Sequence, residues 1–442
     1  MWFVAGGVAV AVFVLLALTA PAVFVAVVAA GIILYSLHRY GVWRTMVAAS
    51  IVVSVLRSST FATALPETVW YALQFGTLAA AAVTTLRTPR RDLRRSDRAT
   101  LHALAVYVAA AALTALVSVA PTETISQAAL FAAVGVFLTL TYTRRWVNAD
   151  TIRADLGTVF ATITLVQAAG IIAAFTGQLW TYDPDYGRYV GLFSNANYAG
   201  IMSAVGIAIG VYLLRVPGHR VLTLAGISVL TVGMLMSGSR GAILAVTAGL
   251  LVLLLARGSR RVVLGVLITA ATAALIAIAV RPELLESVQR FFLRDAQADI
   301  TSGRFLIYAQ LLDRYQLSPW LGTGYRTSEL ADGGLAGHNA YLSVLTETGI
   351  VGAAVFAAFI ICVLVASRNG HAHRPLLGVA VTVAVMELTE SSVFGFGGPT
   401  ALTAWLCVLA FAANGAYLNH EKNPLADPKA HKGVHYFATQ PV

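Results

Sequence analysis

Long apolar stretches separated by short polar connections recur along the whole chain. Most stretches are about 17 to 25 residues long, which suffices for a helix to cross a hydrocarbon core of about 30 Å. The predicted spans are 2–19, 21–37, 45–63, 67–86, 100–119, 126–143, 156–176, 197–215, 221–237, 241–256, 262–280, 339–366, 375–393 and 399–417. The count is about fourteen, or twelve if a short pair such as the first, which only Pro21 separates, is re-entrant.

Composition supports a membrane protein rather than a soluble one. The 442 residues are 58% hydrophobic and only 11% charged, whereas about a quarter of a soluble chain is charged. The apolar runs lack the alternation of barrel strands, so helices must satisfy the backbone within lipid. We therefore predict an all-α polytopic protein with one transmembrane domain over 1–417 and a polar cytoplasmic tail over 418–442. Two cysteines inside apolar runs, Cys362 and Cys407, exclude a disulfide framework.

The arginines predict the orientation. Basic residues concentrate in alternate connections, namely 87–95, 143–153, 215–220, 257–261 and 367–374. By the positive-inside rule these connections face the cytoplasm. The basic clusters are short and lie between spans, so we expect no nucleic-acid partner.

The opposite side carries the longest connection, 281–338, which we predict to be a large periplasmic loop. It begins with an amphipathic segment at 284–292 that is expected to lie on the membrane surface. A second helix, which Ser302 can cap and Pro319 ends, has an apolar face that includes Phe305, Ala309 and Leu312. A glycine-rich stretch then leads to His338 and Asn339.

Several cations on this outer side stand at predicted helix starts. Arg188 precedes the segment GLFSNANYAG, while Arg240, Arg304 and His338 each stand where a helix begins. The positive end of a helix dipole favours acids, so arginines there are unexpected. They make physical sense if an anion binds beside the helix N–H groups, and guanidinium suits phosphate oxygens.

Each residue also has a structural explanation when it is taken alone. A single arginine is by default an interfacial anchor, and a single histidine at a helix start is more often structural. Asn195 and Asn197 are more often helix caps than ligands. Glu387 and Glu390, near the outer end of a span, can simply be solvated. The hypothesis of a site depends on the conjunction of these residues.

Four ordered segments resemble the O-antigen ligase superfamily. RYVGLFSNANYAG is similar to its R…G-x-F-x-N-x-N segment, and SGSRGAILA to its S-x-S-R-G segment. SGRFLIYAQLLDRYQLSPWLGTGY, followed by GHNAYLSVLTETGIVGAAVF, is similar to its R…P-x-x-G-x-G…H-N-x-Y-L…E-x-G-x-x-G block. The motifs cover roughly 188–355, and each one is loose by itself.

The resemblance implies a GT-C-type glycosyltransferase of the bacterial inner membrane, with its active site facing the periplasm. Members take a glycan from an undecaprenyl-diphosphate carrier, and ligases pass it to lipid A–core. In this scheme Arg188 and Arg304, with Arg240 as a third partner, bind the diphosphate, and His338 acts as base in an inverting reaction. No metal or other cofactor is expected, because the arginines neutralise the diphosphate. The expected contributors to the diphosphate and sugar site are Asn195, Asn197, Asn339 and Tyr341, with Glu347 and Tyr341 as possible supports for His338.

Other functions stay open. A glycan polymerase and a protein O-oligosaccharyltransferase of the same superfamily differ mainly in the acceptor. A flippase for lipid-linked sugars needs the same arginines, but it does not need a histidine at the end of a long loop. A scaffold in an export complex leaves the arginine pattern unexplained.

Overall fold

A computed structural model describes residues 41–414 except 60, 184–186, 215–219, 256–259, 281–303, 329–337, 369–373 and 392–398. These residues form α-helices joined by short turns, and the described part contains no strand beyond one bridge between Tyr182 and Tyr189. The helices are α1 Val42–Arg57, α2 Glu67–Leu86, α3 Arg95–Leu113, α4 Pro121–Leu140, α5 Ala149–Phe175, α6 Ala196–Leu213, α7 Arg220–Ser237, α8 Arg240–Leu255, α9 Arg260–Val280, α10 Arg304–Leu317, α11 Ala340–Ser367, α12 Arg374–Met386 and α13 Pro399–Asn414.

The predicted all-α polytopic architecture is confirmed. Every predicted span from 45–63 onward coincides with one helix of the described part. Eight of these helices are long and apolar enough to cross a membrane, while α8, α12 and α13 are shorter apolar helices. The predicted spans 2–19 and 21–37, the segment 284–292, Ser302 and the tail 418–442 lie outside the described residues.

Helix α6 lies at the centre of the bundle, against α5, α7, α8 and α12. Its side chains are buried along almost its whole length. Glycines allow this close approach: a Cβ at Gly206 would lie 2.7 Å from Leu230 of α7, and one at Gly210 would lie 2.8 Å from Ile227. The core therefore holds the start of α6 in a fixed position, which matters for the residues around Asn197.

One end of the bundle is built around two buried carboxylates, Asp97 and Asp155, which are 0% and 2% exposed. Four side chains of the basic connections donate to them, Arg145 and Trp146 to Asp155 and Arg91 and Arg94 to Asp97, over 2.7–3.2 Å. Arg44 of α1 also donates to Asp155 at 2.7 Å, and the Tyr142 hydroxyl donates to Asp97 at 2.8 Å. The arginine-rich connections 87–95 and 143–153 thus meet at one end of the protein.

The other end contains α10, whose packing differs from the predicted face. Ile307 and Leu311 are its buried residues, whereas Phe305 is 69% exposed and Leu312 is 43% exposed. The helix ends at Leu317, as the proline at 319 predicted. A neighbouring break in α11 at Gly349, with φ 64°, frees backbone groups that pair with the chain after α10: the N–H of Ile350 donates to the Pro319 carbonyl at 2.9 Å. This contact joins α10 to α11.

Candidate functional site

Arg188 lies in the connection between α5 and α6 and reaches two other elements. Its Nε donates to the carbonyl of Ser237, at the end of α7, over 3.0 Å. Its Nη2 donates to Oδ1 of Asn197, in the first turn of α6, over 2.9 Å. The guanidinium therefore lies where the start of α6 meets the turn between α7 and α8.

The two asparagines of this segment have different roles. Asn195 is the N-cap of α6, and its Oδ1 accepts from the N–H of Asn197 at 2.6 Å. The Asn197 side chain is not a cap, because its Oδ1 binds Arg188 and its Nδ2 donates to Oε1 of Glu390 at 2.8 Å. Asn197 thus connects the arginine to a carboxylate that is distant in sequence.

Glu390, just beyond α12, is the centre of the site. Its Oε1 also accepts from Nη2 of Arg304 at 2.9 Å, and its Oε2 lies 3.0 Å from Nδ1 of His338. The side chain of Glu390 is only 9% exposed, and those of Arg304 and His338 are 22% and 24% exposed. A half-buried arginine and a histidine thus share one buried carboxylate, in an environment where charge–charge interactions are stronger than in water.

The backbone around His338 is fixed by several hydrogen bonds. His338 has φ 44°, an uncommon conformation for a residue with a side chain. Its carbonyl accepts from the hydroxyl of Tyr308, on α10, at 3.1 Å. Asn339 caps α11 by accepting from Leu342 N–H at 3.0 Å, and the N–H of Ala340 donates to the Glu387 carbonyl at 2.8 Å. The imidazole is therefore held at a defined place beside Glu390.

Arg240 begins α8 at the turn between α7 and α8. Gly238 gives this turn a φ of 58°, and a Cβ at Gly200 of α6 would lie 2.5 Å from the Cβ of Ser239. A Cβ at Gly241 would collide with Thr389, the neighbour of Glu390. The backbone of Arg240 therefore lies between the start of α6 and the Glu390 segment, and its side chain is half-buried.

Three interpretations from the sequence are wrong. Glu387 and Glu390 are buried, at 4% and 7% exposure, rather than solvated. Glu347 does not support His338; its carboxylate accepts from Arg326 N–H at 2.9 Å and from the hydroxyl of Ser328. Tyr341 does not support His338 either, because its hydroxyl donates to the Ala384 carbonyl at 3.0 Å and so braces α11 against α12.

Sequence reasoning thus missed Glu390, although a signal was present. A polar segment that ends a long apolar run brings its ionisable groups to the edge of the membrane region. Placing an ionisable group there costs free energy, so such a group is by default a candidate for a functional role. Arg304, His338 and Asn197 lie 86, 52 and 193 residues away from Glu390 in sequence. No local pattern could have shown that they share this acid.

The arrangement can bind an anion and accept a proton. Helices α6, α8, α10 and α11 all begin beside it, and helix starts present N–H groups to anions. Hydrogen bonding of Nδ1 to a carboxylate leaves Nε2 of His338 as the nitrogen that can take a proton. Within the part of the chain that the structure describes, no group of three or more His, Cys, Asp and Glu side chains is arranged to hold a metal ion.

Comparison with known proteins gives one family match. The family model described as O-antigen ligase matches residues 225–357, which include Arg240, Arg304 and His338 but neither Arg188 nor Glu390. No curated protein matches the chain. The resemblance seen in the motifs is confirmed by this match, because residues 225–357 match the O-antigen ligase domain. With its apolar helices the chain is a multi-pass membrane protein, and over this segment it is similar to the O-antigen ligase superfamily.

Proposed function

We propose that the protein is a GT-C-type, inverting glycosyltransferase of the bacterial inner membrane. It moves a glycan from an undecaprenyl-diphosphate carrier to lipid A–core or a similar acceptor on the periplasmic face. The observation that carries this proposal is the cluster in which Arg304, His338 and Asn197 converge on Glu390 and Arg188 joins through Asn197. It lies beside four helix starts, at the end of the bundle away from Asp97 and Asp155.

The arginines supply the diphosphate site in this proposal. A guanidinium has five N–H donors in a planar fork, so Arg304 can contact Glu390 through Nη2 and still present other donors to an anion. Arg188 and Arg240 supply two further guanidinium groups and stabilise the charge that develops on the leaving diphosphate. Asn195 and Asn339, which cap α6 and α11, and Tyr341, in the first turn of α11, are proposed to contact the sugar.

His338 is the proposed general base. The acceptor hydroxyl oxygen attacks the anomeric carbon and forms the new glycosidic bond, while its proton passes to Nε2 of His338. The bond between the anomeric carbon and the phosphate oxygen breaks on the opposite side, and its electron pair leaves with undecaprenyl diphosphate. Glu390 stabilises the imidazolium that forms, because it lies 3.0 Å from Nδ1.

The carboxylate-held histidine favours an enzyme over a flippase. A flippase must bind and release the same diphosphate, but it has no proton to remove from an acceptor. A glycan polymerase or a protein O-oligosaccharyltransferase would use the same cluster with another acceptor hydroxyl. The acceptor therefore has to be found by assay.

The test is transfer by the purified protein in lipid nanodiscs. A radiolabelled undecaprenyl-diphosphate glycan is offered with lipid A–core, with a second carrier-linked glycan, or with a serine-containing peptide, each with and without EDTA. We expect transfer to lipid A–core that is undiminished by EDTA. Transfer to one of the other acceptors would assign a polymerase or an oligosaccharyltransferase. Carrier translocation without any transfer would refute the enzyme, and loss of activity in EDTA that Mg²⁺ restores would refute the metal-free step.

A further inference from the structure

Gln167 is a fully buried amide within the membrane-spanning helix α5. It lies eight residues before the end of α5 at Phe175, which is about 12 Å along a helix with a rise of about 1.5 Å per residue. Its Nε2 donates to the Ala199 carbonyl and to the Ser203 hydroxyl of α6, both at 2.7 Å. The amide nitrogen of Gln167 therefore binds the first two turns of α6.

The amide oxygen of Gln167 binds the connection that carries Arg188. The hydroxyl of Tyr189, which is 1% exposed, donates to Oε1 of Gln167 at 3.1 Å. Burial raises the pKa of this phenol, so it stays protonated and acts as the donor. Two glycines make room for the hydroxyl, since a Cβ at Gly170 or at Gly191 would lie 2.5 Å from it. The ring of Tyr189 thus extends from the connection down into the helix bundle.

Gln167 therefore fixes both partners of one hydrogen bond in the candidate site. Arg188 directly precedes Tyr189, and Asn197 lies two residues before Ala199, to which Gln167 also bonds. The bond between Arg188 and Asn197 closes this ring of contacts at 2.9 Å. Burying a polar group costs free energy unless the group is hydrogen-bonded. Here the Nε2 and the Oε1 of Gln167 each bond to an element that carries a site residue.

We propose that Gln167 and Tyr189 are positioning residues, which set the Arg188 guanidinium against Asn197 so that it meets the diphosphate of the lipid-linked donor. The inference rests on the proposed function, because it assumes that Arg188 binds that diphosphate. Neither residue touches substrate; both act through the connection and the start of α6.

The decisive variant is Tyr189→Phe, which removes one hydroxyl and leaves the ring in its place. The probe is undecaprenyl diphosphate itself, and its affinity is measured by equilibrium binding to the protein in nanodiscs. We expect Tyr189→Phe to weaken binding about 5-fold, which corresponds to one ordinary hydrogen bond. The same change in an Arg188→Ala background should have no further effect, because the arginine that the hydroxyl positions is absent.

Tyr142→Phe is the matched control. Tyr142 is as buried as Tyr189, and its hydroxyl donates to Asp97 at 2.8 Å at the far end of the bundle. This variant should lower the thermal stability without changing the affinity for the probe. Gln167→Leu is the second variant, and it should weaken binding at least as much as Tyr189→Phe.

The outcomes separate the two hypotheses. If the wild-type protein does not bind undecaprenyl diphosphate, the proposed function fails. If the wild type binds undecaprenyl diphosphate through Arg188 but Tyr189→Phe binds it equally well, the positioning role is refuted while the proposed function stands. The same conclusion follows if the affinity lost in Tyr189→Phe adds fully to the affinity lost in Arg188→Ala.

Discussion

At the scale of single residues, substitutions of His338 and of Arg188 should be distinguishable by the property that each variant loses, transfer rate or donor affinity. His338→Ala removes the proposed base and should lower the transfer rate by about 10²–10⁴, with donor affinity nearly intact. Arg188→Ala should lose roughly 2–4 kcal/mol in the transition state, part of it as weaker donor binding, because the diphosphate is already charged in the ground state. Arg188→Lys should recover only part of this, since an ammonium lacks the bidentate fork.

Donor affinity and single-turnover rate, measured for each variant, check this assignment. A His338→Ala protein that no longer binds donor, beside an Arg188→Ala protein that retains both properties, would require the roles to be exchanged or abandoned.

Glu390 should matter through charge rather than shape. Glu390→Gln is nearly isosteric, but it removes the negative charge that faces Arg304 and His338. We expect a fall in kcat of about 10² or more, because an amide stabilises the imidazolium poorly. The measurement is kcat beside the KM for donor.

Glu347→Gln is the control for loss of a buried carboxylate. Glu347 is 2% exposed and serves the segment of Arg326 and Ser328 rather than His338. The Glu347→Gln substitution should reduce thermal stability and lower kcat less than Glu390→Gln does. If the two variants lowered kcat equally, Glu390 would have no special connection with the histidine.

The sequence predicted which cations lie at helix starts, but not what holds them together. Arg240 and Arg304 were recognisable because a cation in the first turn opposes the helix dipole. Arg188 and His338 were recognisable because each precedes a helix on the same predicted side of the membrane. Their shared partner Glu390 was not, because it depends on contacts between chain segments that are far apart in sequence. Asn197 was expected to be either a cap or a contributor to the diphosphate and sugar site, and only its position beside Arg188 shows the bridging role.

At the scale of elements, the break in α11 should be one of the least tolerant backbone positions. Gly349 has φ 64°, and an added Cβ would collide with the Trp320 backbone. Alanine in this conformation costs about 1–3 kcal/mol from backbone strain before any collision is counted. Gly349→Ala should therefore lower Tm by several degrees.

Gly265→Ala in α9 is the matched control, because an added Cβ there meets nothing within 4 Å. Within a helix this change should be neutral or stabilising, by up to about 1 kcal/mol. Thermal unfolding in nanodiscs compares the two variants. Equal Tm values would mean that the break in α11 is not built around Gly349.

Hydropathy predicted helices far better than their interruptions. Every predicted span in the described part became a helix, because burying an apolar segment in lipid requires its backbone to bond internally. The predicted apolar face of α10, with Phe305, Ala309 and Leu312, was wrong, because α11 packs on the side that carries Ile307 and Leu311 and buries those two residues instead. The break at Gly349 was invisible, since it depends on the Pro319 and Trp320 carbonyls as outside partners.

At the scale of the whole molecule, the chain has a polar cluster at each end of the bundle. At one end the arginine-rich connections bind Asp97 and Asp155; at the other, Arg304 and His338 bind Glu390. Charge counting predicted that the basic connections lie together. It could not predict that the buried carboxylates of Asp97 and Asp155 pair with several of these arginines.

The positive-inside rule predicts that the end with Asp155 faces the cytoplasm and the end with Glu390 the periplasm, and this orientation can be tested with single cysteines. In a chain whose two native cysteines are replaced by serine, Leu179→Cys lies in the connection that carries Arg188, where Leu179 is 86% exposed. Val147→Cys lies in the basic connection, where Val147 is 45% exposed. An impermeant maleimide added to spheroplasts should label the cysteine at 179 and leave the one at 147 until the membrane is permeabilised. The opposite pattern would place Arg188 and His338 in the cytoplasm and remove the basis for transfer on the periplasmic face.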